Sequence, residues 1–262
     1  MAAYLKLPSE LLIKIFTIHV ENLLPPPPES PDQLPLPYRE IKPSEWLWFT
    51  HVCQYWRNVA LGTHTLWSTP DFRFPTIAVE MLKRTGSSPL TLGISVAAVG
   101  KSRPNNVSEK LGVGILKEHL SRTVSLELTA PTEHTLERVL DAATSPAPLL
   151  HALNLCIDYQ IESLLIPSKF LGGKAPRLKE IALDGCCFSP SSPLLKNLTV
   201  LDVTANTDFL GNLPFPQFVE ILRKCPDLEV LGAGGWLSES QMTKEVMPVE
   251  LPRLRKLMVV TV

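Results

Sequence analysis

The chain has 262 residues, of which 45% are hydrophobic and 19% charged, enough apolar sequence to bury one large core or two smaller ones. Its formal net charge of -1 leaves no dense Lys/Arg footprint for nucleic-acid phosphates or an anionic membrane, so neither is expected as a partner. Residues Met1 to Lys6 do not read as a signal peptide, Leu90 to Gly100 is about half the ~20 residues that span a bilayer, and five cysteines without a Cys-x-x-Cys pair argue against a secreted disulfide scaffold; the expectation is a soluble protein of the cytoplasm, the nucleus or both, with reduced thiols.

The first predicted element is a short helix in which Leu11, Leu12, Ile15 and Phe16 recur at helical spacing behind Pro8-Ser9-Glu10, with Ser9 placed to accept from the free first-turn N–H groups. Between Pro25 and Pro43 lie eight of the chain's 25 prolines, so residues 24–43 are expected to be an extended insertion, either a spacer or a polyproline-II ligand. Beyond it Trp46, Phe49, Cys53, Trp56 and Ala60 fall at steps of three, four, three and four, which predicts a second helix running from a Ser44 cap to Gly62. Leu66 and Trp67 form a closing segment that ends at Pro70.

These residues carry a resemblance. Leu7-Pro8-Ser9-Glu10-Leu11-Leu12, Ile15-Phe16, Val52-Cys53-Gln54-Tyr55-Trp56-Arg57, Ala60-Leu61 and Leu66-Trp67 occur in the order of the F-box pattern, and residues 1–70 resemble an F-box domain. With its proline-rich insertion the region is similar to the expanded F-box families of mushroom-forming fungi, from whose common pattern Gln54 and His64 depart. The resemblance implies docking onto the Skp adaptor, and through it a cullin, by Leu7, Pro8, Leu11, Leu12, Ile15, Phe16, Val52, Cys53, Trp56, Leu66 and Trp67. A physical expectation stands beside it: so small a helical unit should not cover both faces of Leu11, Leu12, Ile15, Phe16, Trp56 and Trp67 by itself, and a partner should complete the core.

From about Leu90 onward, segments of the form Leu-x-x-Leu-x-Leu recur. Their starts at Leu150, Leu178, Leu198, Leu228 and Leu254 lie 28, 20, 30 and 26 residues apart, close to the roughly 20 to 29 residues of leucine-rich repeats. Leu90 to Ile94 and Leu126 to Leu128 alternate in the same way, and Phe215 to Lys224 reads as a helix between strands. The expected class is α/β: a helical N-terminal domain followed, over residues 71–262, by an irregular leucine-rich-repeat-like solenoid with a short-stranded parallel sheet and outer helices or turns. Cys186 and Asn206 stand three residues past the last apolar position of their segments, where such repeats place a polar residue in the turn. The residues alternating with the leucines should line the concave side, and Asn154, Glu180, Asp184, Asp202, Thr204 and Lys256 are the candidate target-binding residues. Apolar sequence runs to Val262 without a polar cap, so this end is expected to pair with another chain or to continue into a longer product.

No constellation for catalysis, cofactor or metal stands out: the six histidines are scattered, Gly112-x-Gly114 is a lone pair, and the adjacent Cys186 and Cys187 point to opposite faces of any strand. The expected function is non-enzymatic and without cofactor, that of a substrate receptor of an SCF-type ubiquitin ligase. The rival expectation is a leucine-rich-repeat interaction protein whose F-box-like helices serve only as an N-terminal cap.

Overall fold

The computed structural model describes residues 7–23, 47–72, 74–96, 107–158, 164–204, 215–234 and 248–260. The proline-rich insertion, the Ser44 cap, Trp46 and Asn206 lie outside these residues. Two compact units divide the chain, Met1–Thr69 with Glu80–Ser88, and Pro70–Val79 with Pro89–Val262.

The first unit is helical. Helix α1 (Ser9–Leu23) opens on the carbonyl of Pro8, which accepts from the amides of Leu11 and Leu12, both at 3.1 Å; Ser9 is the first residue inside the helix. Where one helix was expected from Ser44 to Gly62, there is a 3₁₀ turn (Trp48–His51) and a separate α2 (Gln54–Gly62), with Cys53 extended between them at φ -162, ψ 168. Thr50 Oγ1 donates to the Leu47 carbonyl at 2.7 Å, which favours the tighter turn. Packing supplies the rest of the reason. Phe49 and Trp56 are seven residues apart, a rise of about 10.5 Å in a straight helix, yet both close on the one ring of Phe16, with centroids at 4.4 and 5.4 Å. After α2 a second 3₁₀ turn (His64–Trp67) inserts Trp67, whose Nε1 donates to the Ala60 carbonyl at 3.0 Å and whose ring lies 4.8 Å beneath the Arg84 guanidinium. His64 Nδ1–H donates to the Arg84 carbonyl at 2.6 Å.

Helix α3 (Pro75–Arg84) carries the boundary between the units. The second unit is mixed α/β: β1 (Leu90–Ser95), α4 (Glu109–His119), β2 (Thr123–Ala130), α5 (Glu133–Ala142), β3 (Ala152–Ile157), β4 (Leu164–Leu165), β5 (Glu180–Asp184), β6 (Cys186–Cys187), β7 (Val200–Thr204), α6 (Phe215–Arg223), β8 (Val230–Gly234) and β9 (Lys256–Val260). Among the described residues seven strands form one parallel sheet in the order β1-β2-β3-β5-β7-β8-β9, with β4 and β6 as a minor parallel pair. Each strand of the main sheet therefore pairs with the next one along the chain. Ser108 and Thr132 cap α4 and α5, each accepting at 3.3 Å from an amide three residues on, and Arg138 forks onto the Glu109 carboxylate at 2.8 and 2.6 Å to tie these helices together.

The register stacks the apolar positions in two ladders. One runs Leu92, Leu126, Leu153, Ile181, Leu201, Leu231, Leu257; the other runs Ile94, Leu128, Leu155, Leu183, Val203, Ala233, Val259. Every member is buried until β9, where Leu257 is 58% and Val259 45% exposed.

The entry into each strand follows a rule that is also written in the sequence. Ala147-Pro-x-Leu150, Ala175-Pro-x-Leu178, Cys225-Pro-x-Leu228 and Leu251-Pro-x-Leu254 each close a turn in which the leucine amide donates to the carbonyl three residues back, at 3.0 to 3.2 Å. Proline in the second place pre-sets the φ that such a turn requires. The strand begins two residues after the leucine in all four cases. The ladder continues the pattern: the carbonyls of His151, Lys179, Thr199 and Glu229 each accept two consecutive amides from the next strand's start, the first at 2.8 to 2.9 Å and the second at 3.1 Å.

Candidate functional site

Two surfaces carry the residues singled out in the sequence. On the helical unit, the i, i+4 geometry of α1 divides its apolar residues between two stripes. Leu12 and Phe16 lie on the inner one, completely buried, and with Phe49, Trp56, Ala60, Leu66 and Trp67 they form the unit's own core. This corrects the expectation that Leu12, Phe16, Trp56, Leu66 and Trp67 face a partner. Phe49 and the two 3₁₀ turns, which fold it and Trp67 back over α1 and α2, supply the cover.

Leu11, Ile15 and Ile18 form the outer stripe, at steps of four and three. With Trp48, Val52 and Tyr55 they are between 38% and 49% exposed. Of the expected docking residues, Leu11, Ile15 and Val52 are thus on the surface; Pro8 is exposed, and Leu7 and Cys53 are half-buried. Sequence reasoning missed Ile18, Trp48 and Tyr55. Trp48 Nε1 donates to His19 Nε2 at 2.8 Å, the two rings meeting edge to face at 5.4 Å, and the Tyr55 hydroxyl donates to the Leu7 carbonyl at 3.0 Å. Continuing the helical step from Leu11 and Ile15 to Ile18 would have found one of the three; the 3₁₀ turn that turns Trp48 outward has no such signal.

The second surface is the side of the main sheet opposite the leucine ladders. Register brings all six candidate target-binding residues to this side. Asn154, Ala182 and Asp202 are successive members of one row, Asp184 and Thr204 are paired in the next, and Glu180 shares a third row with Lys256, with Val200 and Val230 on the two strands between them. Asn154 and Glu180 are exposed; Asp184, Asp202 and Lys256 are half-buried; Thr204 is placed by its backbone alone. Glu127, in register with Asn154, belongs to the same row and was not singled out.

Acidity dominates the electrostatics of this side. Burial pushes the Glu127 carboxyl upward; for Asp202 burial acts first and the Asp184 charge second, with Lys256 opposing. Asp202 Oδ1 is enclosed without a hydrogen-bond partner, and a Cβ on Gly232 would stand 2.3 Å from it, so glycine in the adjacent strand is what leaves room for the carboxylate. A raised folded value means that the contribution of Asp202 to stability is fully present below the ordinary carboxyl value of about 3.9 and is lost as pH rises through the folded one. Asp202→Asn, which removes the charge but not the volume, should therefore raise the urea midpoint at pH 7, and the gain should shrink toward pH 3. A variant that is less stable than the natural chain at pH 7 would contradict this account.

Burial holds the Cys156 and Cys186 thiols protonated. Cys156 is pushed up to about 12 by burial, by Asp184, to which its Sγ donates at 3.7 Å, and by Asp158. Cys186 is raised further by burial, its Sγ donating to the Leu155 carbonyl at 3.9 Å; it lies in strand β6, where a turn was expected. Thiols held this far from ionisation are poor nucleophiles and poor metal ligands. Among the described residues no group of three His, Cys, Asp or Glu side chains could hold a metal ion, and no helix is long and apolar enough to cross a membrane. Compared with known proteins, the chain matches no family model and no curated protein aligns with it, so its candidate surfaces rest on sequence pattern and geometry alone.

Proposed function

We propose that this chain is the substrate-receptor subunit of an SCF-type cullin ubiquitin ligase, working in the cytoplasm or nucleus and catalysing nothing itself. Its helical unit, read as an F-box, docks the Skp adaptor and through it the cullin. Its sheet, read as an irregular leucine-rich-repeat solenoid, holds a protein target on the polar side. Proximity is then the contribution to transfer, since holding the target near the machinery raises the effective concentration of its lysines.

The observation that carries the reading is the outer stripe of Leu11, Ile15 and Ile18, left exposed with Trp48, Val52 and Tyr55 on a unit whose internal core is already closed. Apolar side chains that their own fold does not cover are the usual mark of an interface. The four Pro-x-Leu strand entries, their common offset and the doubled backbone acceptors support the repeat reading of the sheet. The closed core of Leu12, Phe16, Trp56 and Trp67 equally suits the second reading, an interaction protein without a ligase whose helices serve as a cap.

Co-purification separates them. The full chain should retain the Skp adaptor, and a Leu11→Asp, Ile15→Asp variant should lose it by about 100-fold or more, since each side chain forfeits about 1 to 2 kcal/mol of burial and brings a charge into an apolar contact. Both positions are exposed, so the variant's folded state is checked by an unchanged circular dichroism spectrum. A chain that captures no adaptor, or a folded variant that retains it fully, sinks the ligase reading.

A further inference from the structure

We infer that Ser189 is a phosphorylation site for a proline-directed protein kinase, with Lys224 as the cation that receives the phosphate. Between β6 and β7 the residues Ser189-Pro190-Ser191-Ser192-Pro193 present two Ser-Pro steps in a segment without helix or strand. Their surroundings separate the two. Ser192 is built into the fold: its carbonyl accepts from the Leu195 amide at 3.3 Å, its Oγ accepts from the Leu194 amide at 3.3 Å, and the Pro193 ring lies against Gly173, where a Cβ would be 3.0 Å from Pro193 Cγ. The Ser189 carbonyl accepts from the Ser192 amide at 2.8 Å, but its hydroxyl holds no backbone group and bonds to the Ser191 hydroxyl, at 2.8 Å. The hydroxyl can turn outward without breaking that turn.

The segment also borders an open cleft. Ser189, Ser191 and Ser192 line it opposite Ile166, Phe170 and Phe188. To enter a kinase cleft in extended form it must give up the Ser192 amide and Lys224 contacts, and a loop without helix or strand does so more readily than the sheet it joins. The cation is already in place: Lys224 Nζ, just beyond the last turn of α6, donates to the Pro190 carbonyl at 3.0 Å. A phosphate on the neighbouring Ser189 adds about 1.5 to 2 negative charges and three acceptor oxygens, and converts that single contact into a charge-assisted pair. Ser145-Pro146 is the more exposed step, Ser189 and Pro190 being half-buried, but the flanking amide of Ala147 is tied to the Lys174 carbonyl at 3.0 Å and the Ala143 carbonyl to the Leu171 amide at 2.8 Å.

In the transfer, a bond forms between Ser189 Oγ and the γ-phosphorus of ATP as the bond to the β,γ-bridging oxygen breaks. ADP leaves, and the hydroxyl proton passes to the kinase base. The test treats the purified full chain with a proline-directed serine kinase and ATP and maps the phosphate by mass spectrometry. Phosphate is expected on Ser189, and Ser189→Ala and Pro190→Ala should each reduce incorporation at least about tenfold. Lys224→Met should leave incorporation intact while phosphatase removes the group about fivefold faster, because the ion pair that shields it is gone. Absence of incorporation, phosphate on Ser145 or Ser192 instead, or a Lys224→Met chain dephosphorylated no faster than the natural one would each overturn the inference.

Discussion

Replacing Phe16 by alanine is expected to cost about 3 to 5 kcal/mol, the usual range for emptying a fully buried phenylalanine site. The ring has no exposed surface, stacks on Phe49 at 4.4 Å with planes 15° apart, and meets Trp56 at 5.4 Å. Neighbouring rings cannot collapse into the space, because Phe49 is fixed by its 3₁₀ turn and Trp56 by α2. Domains are held by only about 5 to 15 kcal/mol in total, so the helical unit of the variant should melt well before the rest of the chain, as a separate transition in urea followed by tryptophan fluorescence. Leu11→Ala, five residues earlier on the outer stripe, should shift that transition by less than about 1 kcal/mol. Equal effects at the two positions would mean that the division of α1 into an inner and an outer stripe is wrong.

A second contrast lies within the sheet. Leu155 on β3 and Leu257 on β9 belong to the two apolar ladders, each in register with aliphatic neighbours, yet Leu155 has no exposed surface and Leu257 is 58% exposed. Leu155→Ala should cost about 2 to 5 kcal/mol, because Leu128 and Leu183 on either side stay where their own strands hold them and a cavity remains. Leu257→Ala should cost about 0.5 kcal/mol or less, since most of that side chain already meets water. Urea midpoints of the two variants check both figures. A large loss at Leu257 would show that β9 is covered in solution.

The strands were legible because their information is local. Alternation places every second residue on one side, and the recurrence of leucine at Leu150, Leu178, Leu198, Leu228 and Leu254 located five strands to within about two residues. The helix at Phe215 was read in the same way and ends one residue earlier than expected. The junction Cys225-Pro226-Asp227-Leu228 is legible in the sequence as a strand entry, and the same Pro-x-Leu turn stands before three more of those strands; its mechanism, a pre-set φ followed by a returning amide, needs no tertiary information at all.

The helical unit shows the opposite case. Helical spacing runs unbroken from Trp46 to Ala60, and nothing in it predicts the extended Cys53, because the break exists to bring Phe49 and Trp56 onto the same Phe16 ring. Which stripe of α1 is inside was equally undetermined. Leu11, Leu12, Ile15 and Phe16 are all apolar, and the choice between two such stripes belongs to the aromatic residues that arrive from elsewhere in the chain.

By itself, then, the sequence determined the period, the five strands that follow the recurring leucines, the helix at Phe215 and the side of the sheet that carries Asn154, Glu180, Asp184, Asp202, Thr204 and Lys256, since those follow from backbone geometry repeated over a few residues. Only the tertiary structure decided that Leu12, Phe16, Trp56, Leu66 and Trp67 close a core while Leu11, Ile15 and Trp48 stay in water. Burial is a property of what packs against a side chain, and the partners of these residues lie up to several tens of positions away in the chain.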